Sequence, residues 1–127
     1  MTDRPTLLVA EDDPHISLLV TYALEALPIT IEIDGNGKSV LDRVRRDPRP
    51  ALVLLDLNLP GLGGMDVLRA MKADESLCRI PVFLLSASMI EANRNEALSL
   101  GAERFIEKPF DVQGLAHVVG NFLAHRR

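Results

Sequence analysis

The stretch Thr6–Ile16, TLLVAEDDPHI, decides the fold. Its opening run, TLLVA, is almost wholly apolar, so neither face of an extended chain here suits water. A strand has this character when it is covered on both sides, as in a parallel sheet. The run stops abruptly at Glu11, Asp12 and Asp13. Asp13-Pro14 then offers a helix N-cap followed by a proline at the first helical position, where its missing N–H costs nothing. A buried strand, an acidic turn and a helix start follow one another directly.

Outward from this stretch the same unit recurs. Further strand candidates are Ile29–Ile33 (ITIEI), Ala51–Leu55 (ALVLL), Pro81–Leu85 (PVFLL) and Glu103–Ile106 (ERFI). ALVLL and PVFLL are as apolar as the first run, whereas ITIEI alternates as an edge strand does. Helix signals lie between them. Ile16, Leu19, Val20, Ala23, Leu24 and Leu27 mark one apolar stripe, Val40, Leu41 and Val44 a second, and Val67, Leu68 and Met71 a third. A fourth helix, about Ile90 to Leu100, has the weakest stripe and stops before Gly101, a C-cap candidate. Asp111 caps a fifth, striped by Leu115, Val118, Val119, Phe122 and Leu123. Such alternation predicts an α/β fold, with a parallel sheet covered by helices on both faces. Right-handed crossovers favour a doubly wound topology. The expectation is a flavodoxin-like, five-stranded sheet of order 2-1-3-4-5 with five helices, formed by residues 1–127 as one domain. In such sheets the site lies at the carboxyl ends of the strands where the order reverses, here between strands one and three.

Composition narrows the function. The formal net charge of −4 gives no global case for nucleic-acid or membrane binding. The one local basic cluster, Arg43, Arg45, Arg46 and Arg49, reads as the solvated end of a helix. The single cysteine, Cys78, forms no internal disulfide and fits a reducing compartment. No stretch approaches the roughly 20 apolar residues of a membrane span. Met1–Thr6 lacks the apolar core of a signal peptide. A cytoplasmic protein with no nucleic-acid or membrane partner is expected.

The residues that follow the strands carry the chemistry. Strand one runs into Glu11, Asp12 and Asp13, strand three into Asp56, strand four into Ser86 and strand five into Lys108-Pro109. Strand two ends in Asp34-Gly35-Asn36-Gly37, which reads as a plain turn. Taken singly, Asp13 is a cap, the serines of Ser86-Ala87-Ser88 are turn residues and Lys108 is a surface charge. Their gathering on one rim is less common. Carboxylates brought together repel, by on the order of 4 kcal/mol for two charges about 4 Å apart at an effective dielectric of 20. A divalent cation or an ammonium group offsets this. With only hard oxygen ligands and no companion His or Cys, Mg²⁺ (or Mn²⁺) is favoured over zinc. Such a site suits phosphoryl transfer, in which a carboxylate can be the nucleophile.

Four segments, Leu7–Ile16 (LLVAEDDPHI), Val53–Gly64 (VLLDLNLPGLGG), Val82–Ser88 (VFLLSAS) and Gly101–Phe110 (GAERFIEKPF), together resemble the receiver domains of two-component response regulators, in that family's order and spacing. The resemblance implies that Asp56 is the phosphoacceptor. It implies that Asp12 binds the metal directly with Asp56 and the Asn58 backbone carbonyl, and that Glu11 acts through water. Ser86 would hydrogen-bond one phosphoryl oxygen, and Lys108 would pair with another and, before phosphorylation, with Asp56. Phe105 occupies the place of the switch aromatic, and the Lys108–Pro109 bond is expected to be cis. Glu11 stands where Asp is commoner, Ser86 where Thr is, and Phe105 lacks the hydroxyl of a Tyr. His15, His117 and His125 match no family site.

The implied partners are a histidine kinase or phosphotransfer protein as donor, and a target or a second copy on the face of the fourth helix, fifth strand and fifth helix. The domain would catalyse its own phosphorylation and dephosphorylation without being a turnover enzyme. A haloacid-dehalogenase-like phosphatase would carry a second Asp where Asn58 stands. A degenerate receiver acting as a binding scaffold would lack Asp56, Asp12 or Lys108, and all are present. The run from Met1 to His125-Arg126-Arg127 is expected to be a stand-alone receiver.

Overall fold

In the computed structural model, which describes residues 4–87 and 91–125 and only the backbone over 91–93, strands and helices alternate throughout. The order is β1 (Thr6–Ala10), α1 (Pro14–Leu24), β2 (Thr30–Asp34), α2 (Gly37–Val44), β3 (Leu52–Asp56), α3 (Gly64–Ala73), β4 (Val82–Ser86), α4 (Glu91–Ser99), β5 (Arg104–Glu107) and α5 (Val112–Ala124). The strands form one parallel sheet of order β2-β1-β3-β4-β5, as the alternation predicted. The expected helix start at Ile90, the second serine of Ser86-Ala87-Ser88, the first three residues and Arg126-Arg127 lie outside the described residues.

Four of the strands run one residue further than their apolar letters. Asp34 pairs with Ala10, Asp56 with Leu85, and Ser86 with Glu107. The ladder is made by backbone groups and continues through a polar side chain, so hydropathy stops one residue short. The polar residues at this rim are therefore the last rungs of the sheet itself.

β1, β3 and β4 are buried along their whole length, and the edge strands β2 and β5 are only partly covered. Alternate side chains feed two separate cores. Leu8, Val53, Leu55, Val82 and Leu84 pack with Val40, Val44, Val67, Leu68 and Met71 of α2 and α3. Leu7, Val9, Leu52, Leu54, Phe83 and Leu85 pack with Val20 and Leu24 of α1 and Leu115 and Val119 of α5. Phe83 and Phe122 meet edge to face in this second core, their ring centres 5.0 Å apart.

The helix ends follow local chemistry. Asp13 caps α1, its Oδ1 accepting the His15 N–H at 2.8 Å. α1 stops at Leu24, before the expected Leu27, because Pro28 disfavours helical backbone at the residue preceding it. Leu19, expected in the buried stripe, is 40% exposed, and Leu18 and Tyr22 also face solvent. Asp34–Gly37 is more than a plain turn. Asn36 caps α2 by accepting the N–H groups of Lys38 and Ser39 at 2.9 and 3.3 Å.

Arg43 is not part of a solvated cluster either. It is buried, donates to both carboxylate oxygens of Glu32 at 2.6 and 3.1 Å, and also holds the carbonyls of Arg46 and Pro48. α4 stops before Gly101, as expected, and the φ of +106° there admits glycine readily. Ala102 N–H reaches Ala97 O and Gly101 N–H reaches Leu98 O, the paired bonds of a Schellman cap. Among the described residues no helix is long and apolar enough to cross a membrane.

Candidate functional site

The carboxyl ends of β1, β3, β4 and β5 converge on one rim. The backbone there is tied across the sheet by Glu11 N–H to Asp34 O at 3.1 Å, Leu57 N–H to Leu85 O at 3.1 Å and Lys108 N–H to Ser86 O at 2.8 Å. Glu11, Asp56 and Ser86 are buried in this floor, 2%, 3% and 3% exposed, while Asp12 is open to solvent. One carboxylate oxygen from each of Glu11, Asp12 and Asp56 falls within 4.8 Å of the others.

Lys108 leans over this cluster from beyond β5. Its Nζ lies 2.7 Å from Glu11 Oε1 and 3.5 Å from Asp56 Oδ1. The shorter contact, to Glu11, was not foreseen, because sequence order does not show how far a lysine stem reaches across a sheet. The other oxygens are partly engaged: Glu11 Oε2 accepts the Asp13 N–H at 3.1 Å, and Asp56 Oδ1 accepts the Asn58 N–H at 3.2 Å. Burial pushes the Glu11 carboxyl above the usual range, assisted by the charge of Asp56 and opposed by the hydrogen bonds from Lys108 and Asp13. Burial alone would lower Lys108, but its hydrogen bond to Glu11 and the field of both carboxylates raise it instead.

The donor set fits a hard divalent cation. All three side-chain donors are carboxylate oxygens, and the buried Glu11 Oε1 has the Lys108 ammonium as its neighbour at 2.7 Å. Asn58 lies in the loop between β3 and α3, two residues beyond Asp56, and its side is exposed. Phe105 is half-buried, pairs with Leu84 and packs against the core on the α2–α3 side. The Lys108–Pro109 peptide is cis. His15 sits in the first turn of α1 beside Asp13, His117 lies in α5 and His125 caps its C-terminal end.

This arrangement, a buried carboxylate at a strand end with a cation against it and further acids around it, belongs to a response regulator. The chain is a member of the response regulator receiver domain family, whose model matches residues 7–120. Such domains are signalling modules of two-component systems, not turnover enzymes. The chain is 37% identical over 109 residues to the DNA-binding response regulator MtrA of Mycolicibacterium smegmatis, covering 86% of this chain and 46% of MtrA. It therefore spans about half the length of the curated relatives it matches.

Among solved structures it resembles the phosphorylated cyanobacterial phytochrome response regulator RcpA, with a TM-score of 0.82 and 29% identity over 94% of this chain and 91% of that one. It resembles the Mn²⁺-bound response regulator Rcp1 equally, with a TM-score of 0.82 and 28% identity over 95% and 93% of the two chains. One expectation is overturned. Nucleic acid was excluded as a partner, yet MtrA is a DNA-binding response regulator. The exclusion rested on a net charge of −4, which describes this chain alone and carries nothing about the half of MtrA that lies outside the alignment.

Proposed function

We propose that the chain is a phosphoacceptor receiver in which Asp56 takes a phosphoryl group from a histidine kinase or phosphotransfer protein. The observation that carries this reading is the buried Asp56 carboxylate with Lys108 at 3.5 Å and Glu11 and Asp12 gathered beside it. An Asp56 carboxylate oxygen attacks the phosphorus of a phosphohistidine. The P–O bond forms as the P–N bond breaks, and the imidazole leaves as a neutral ring after taking up a proton. The product is an acyl phosphate. Asp12, Asp56 and the Asn58 carbonyl would hold Mg²⁺ (or Mn²⁺), with Glu11 acting through water. The ion supplies positive charge to the phosphoryl oxygens.

Lys108 pairs with one phosphoryl oxygen, and the Ser86 hydroxyl donates to another. Hydrolysis of the acyl phosphate resets the domain, so both reactions use its own residues. With Ser86 drawn to the phosphoryl group, Phe105 turns inward beside Leu84, and this repacking is the outward signal. The phosphorylated form of RcpA and the Mn²⁺-bound form of Rcp1 support the reading by likeness. By likeness to MtrA, the signal governs DNA binding in the cytoplasm.

Intact-mass measurement after incubation with a small acyl phosphate and Mg²⁺ tests the assignment. The wild-type chain gains one phosphoryl group, and Asp56→Asn gains none. An equal gain by Asp56→Asn would place the acceptor elsewhere.

A further inference from the structure

The turn between β2 and α2 touches both halves of the rim. On one side Gly35 lies against the loop after β1. A Cβ built on it would sit 3.2 Å from the Asp12 Cα and 3.4 Å from the Glu11 carbonyl oxygen. The Asp34 carbonyl just before it accepts the Glu11 N–H at 3.1 Å. On the other side Gly37 lies against the loop that follows Asp56. Its N–H donates to Pro60 O at 2.9 Å, and a Cβ there would fall 1.9 Å from Leu62 O. Between them Asn36 spends its side-chain oxygen on the α2 cap, which fixes the amide against Gly61. Gly61 answers with a φ of +83°, and a Cβ on it would meet both terminal atoms of Asn36 at 2.7 Å.

Neither loop could come this close to a turn that carried ordinary side chains. The loop after β1 presents Asp12, and the loop after β3 presents Asn58. We infer that Gly35-Asn36-Gly37 is a positioning element: a spacer without side-chain bulk at its two contact points that sets the distance between Asp12 and the Asn58 carbonyl, and through it the affinity for the divalent ion. This rests on the metal site proposed above. The three residues hydrogen-bond to Asp34, Pro60 and the start of α2. They act by holding the two backbones that carry the ligands, as residues outside a coordination sphere commonly do.

The test compares Gly35→Ala and Gly37→Ala with Gly120→Ala. The last adds a methyl at the same 3.2 Å approach, but to Leu27 on α5's side of the molecule, away from the rim. Mn²⁺ affinity is measured directly by water-proton relaxation, and melting by circular dichroism without metal reports the fold. Gly37→Ala, whose methyl meets backbone, weakens Mn²⁺ binding by about 10- to 100-fold, the range seen for groups that orient ligands. Gly35→Ala weakens it less and in the same direction, and Gly120→Ala leaves it unchanged. In phosphorylation by a small acyl phosphate, the metal concentration for half-maximal rate rises in the two turn variants while the plateau stays near wild type. A merely structural defect would lower the plateau instead.

Should Gly37→Ala not fold, Gly35→Ala carries the comparison. Turn variants that bind Mn²⁺ as Gly120→Ala does would overturn the inference and leave the metal site standing. A wild-type chain that binds no Mn²⁺ would remove both.

Discussion

Replacing Lys108 by methionine removes a cation that lies against two buried carboxylates. In the wild type the ammonium lies 2.7 Å from Glu11 and 3.5 Å from Asp56, whose side chains are 1% and 5% exposed. A pair of unit charges about 4 Å apart attracts by on the order of 4 kcal/mol at an effective dielectric of 20, and desolvation returns part of it. Breaking a buried pair by deleting one partner costs about 3–5 kcal/mol, because the remaining charge is left uncompensated. With a urea slope of roughly 2 kcal/mol per molar, the middle of the usual range for small proteins, the unfolding midpoint of Lys108→Met falls by about 2 M.

The loss depends on pH in a definite direction. Glu11 is already raised by burial in the wild type, and loss of the ammonium raises it further. A carboxyl raised on folding binds more protons in the folded chain than in the unfolded one. Acid therefore favours folding between its ordinary 4.5 and its raised value. Lys108, itself raised, stabilises the wild type throughout the range below its ordinary 10.5, and that contribution is lost only as pH climbs through the raised value. The deficit of the variant is thus largest on the alkaline side, below the ordinary 10.5 of Lys108, and shrinks as pH falls through the raised value of Glu11. The chain has one Tyr and no Trp, so far-ultraviolet circular dichroism in urea is the assay. A deficit that stays constant across this range, or an unchanged midpoint at the alkaline end, would refute the pairing.

Other expectations are simpler. Arg43→Met strands Glu32 and the carbonyls of Arg46 and Pro48, and chemical denaturation should show a loss of about 2–3 kcal/mol. The hydrogen bond from Arg43 holds Glu32 below its ordinary 4.5, so that stabilisation is present above this value and fades in acid. Gly101→Ala forces a side chain into the left-handed region at φ +106°, and thermal melting should show a loss of about 1–2 kcal/mol. Mg²⁺ at about 100 times its dissociation constant should stabilise the folded chain by about 2.7 kcal/mol, read as a higher melting temperature. Asp12→Asn should remove most of that rise.

The sheet was legible because its central strands are apolar on both faces, and a pattern of that kind has few other uses. The rim was legible because Glu11, Asp56 and Ser86 each follow such a run, and Lys108 follows the edge strand beside them. What escaped was geometry that depends on separation in space. Nothing in the letters around Arg43 shows that Glu32, on another element, sits within reach of it. Leu19 falls on the helical stripe by spacing, yet α1 packs on the sheet through Val20, Ala23 and Leu24, and one apolar position is left in water. The glycines at 35 and 37 look like turn residues in any sequence. Their close approach to Asp12 and Leu62 exists only once the loops are assembled.

Among the described residues, the sheet divides the interior into two compartments with no buried side chain in common. Phe105 faces the compartment of α2 and α3, and its neighbour Ile106 faces that of α1 and α5. A methyl group lost from Val53 cannot be made good by a larger residue at Leu54, although the two are adjacent in the chain. Compensation has to come from Met71 or Val40 on the same side. Volume is therefore conserved twice over in this molecule, once on each face, and tolerated exchanges should sort into two independent sets that mix freely with each other but not within themselves.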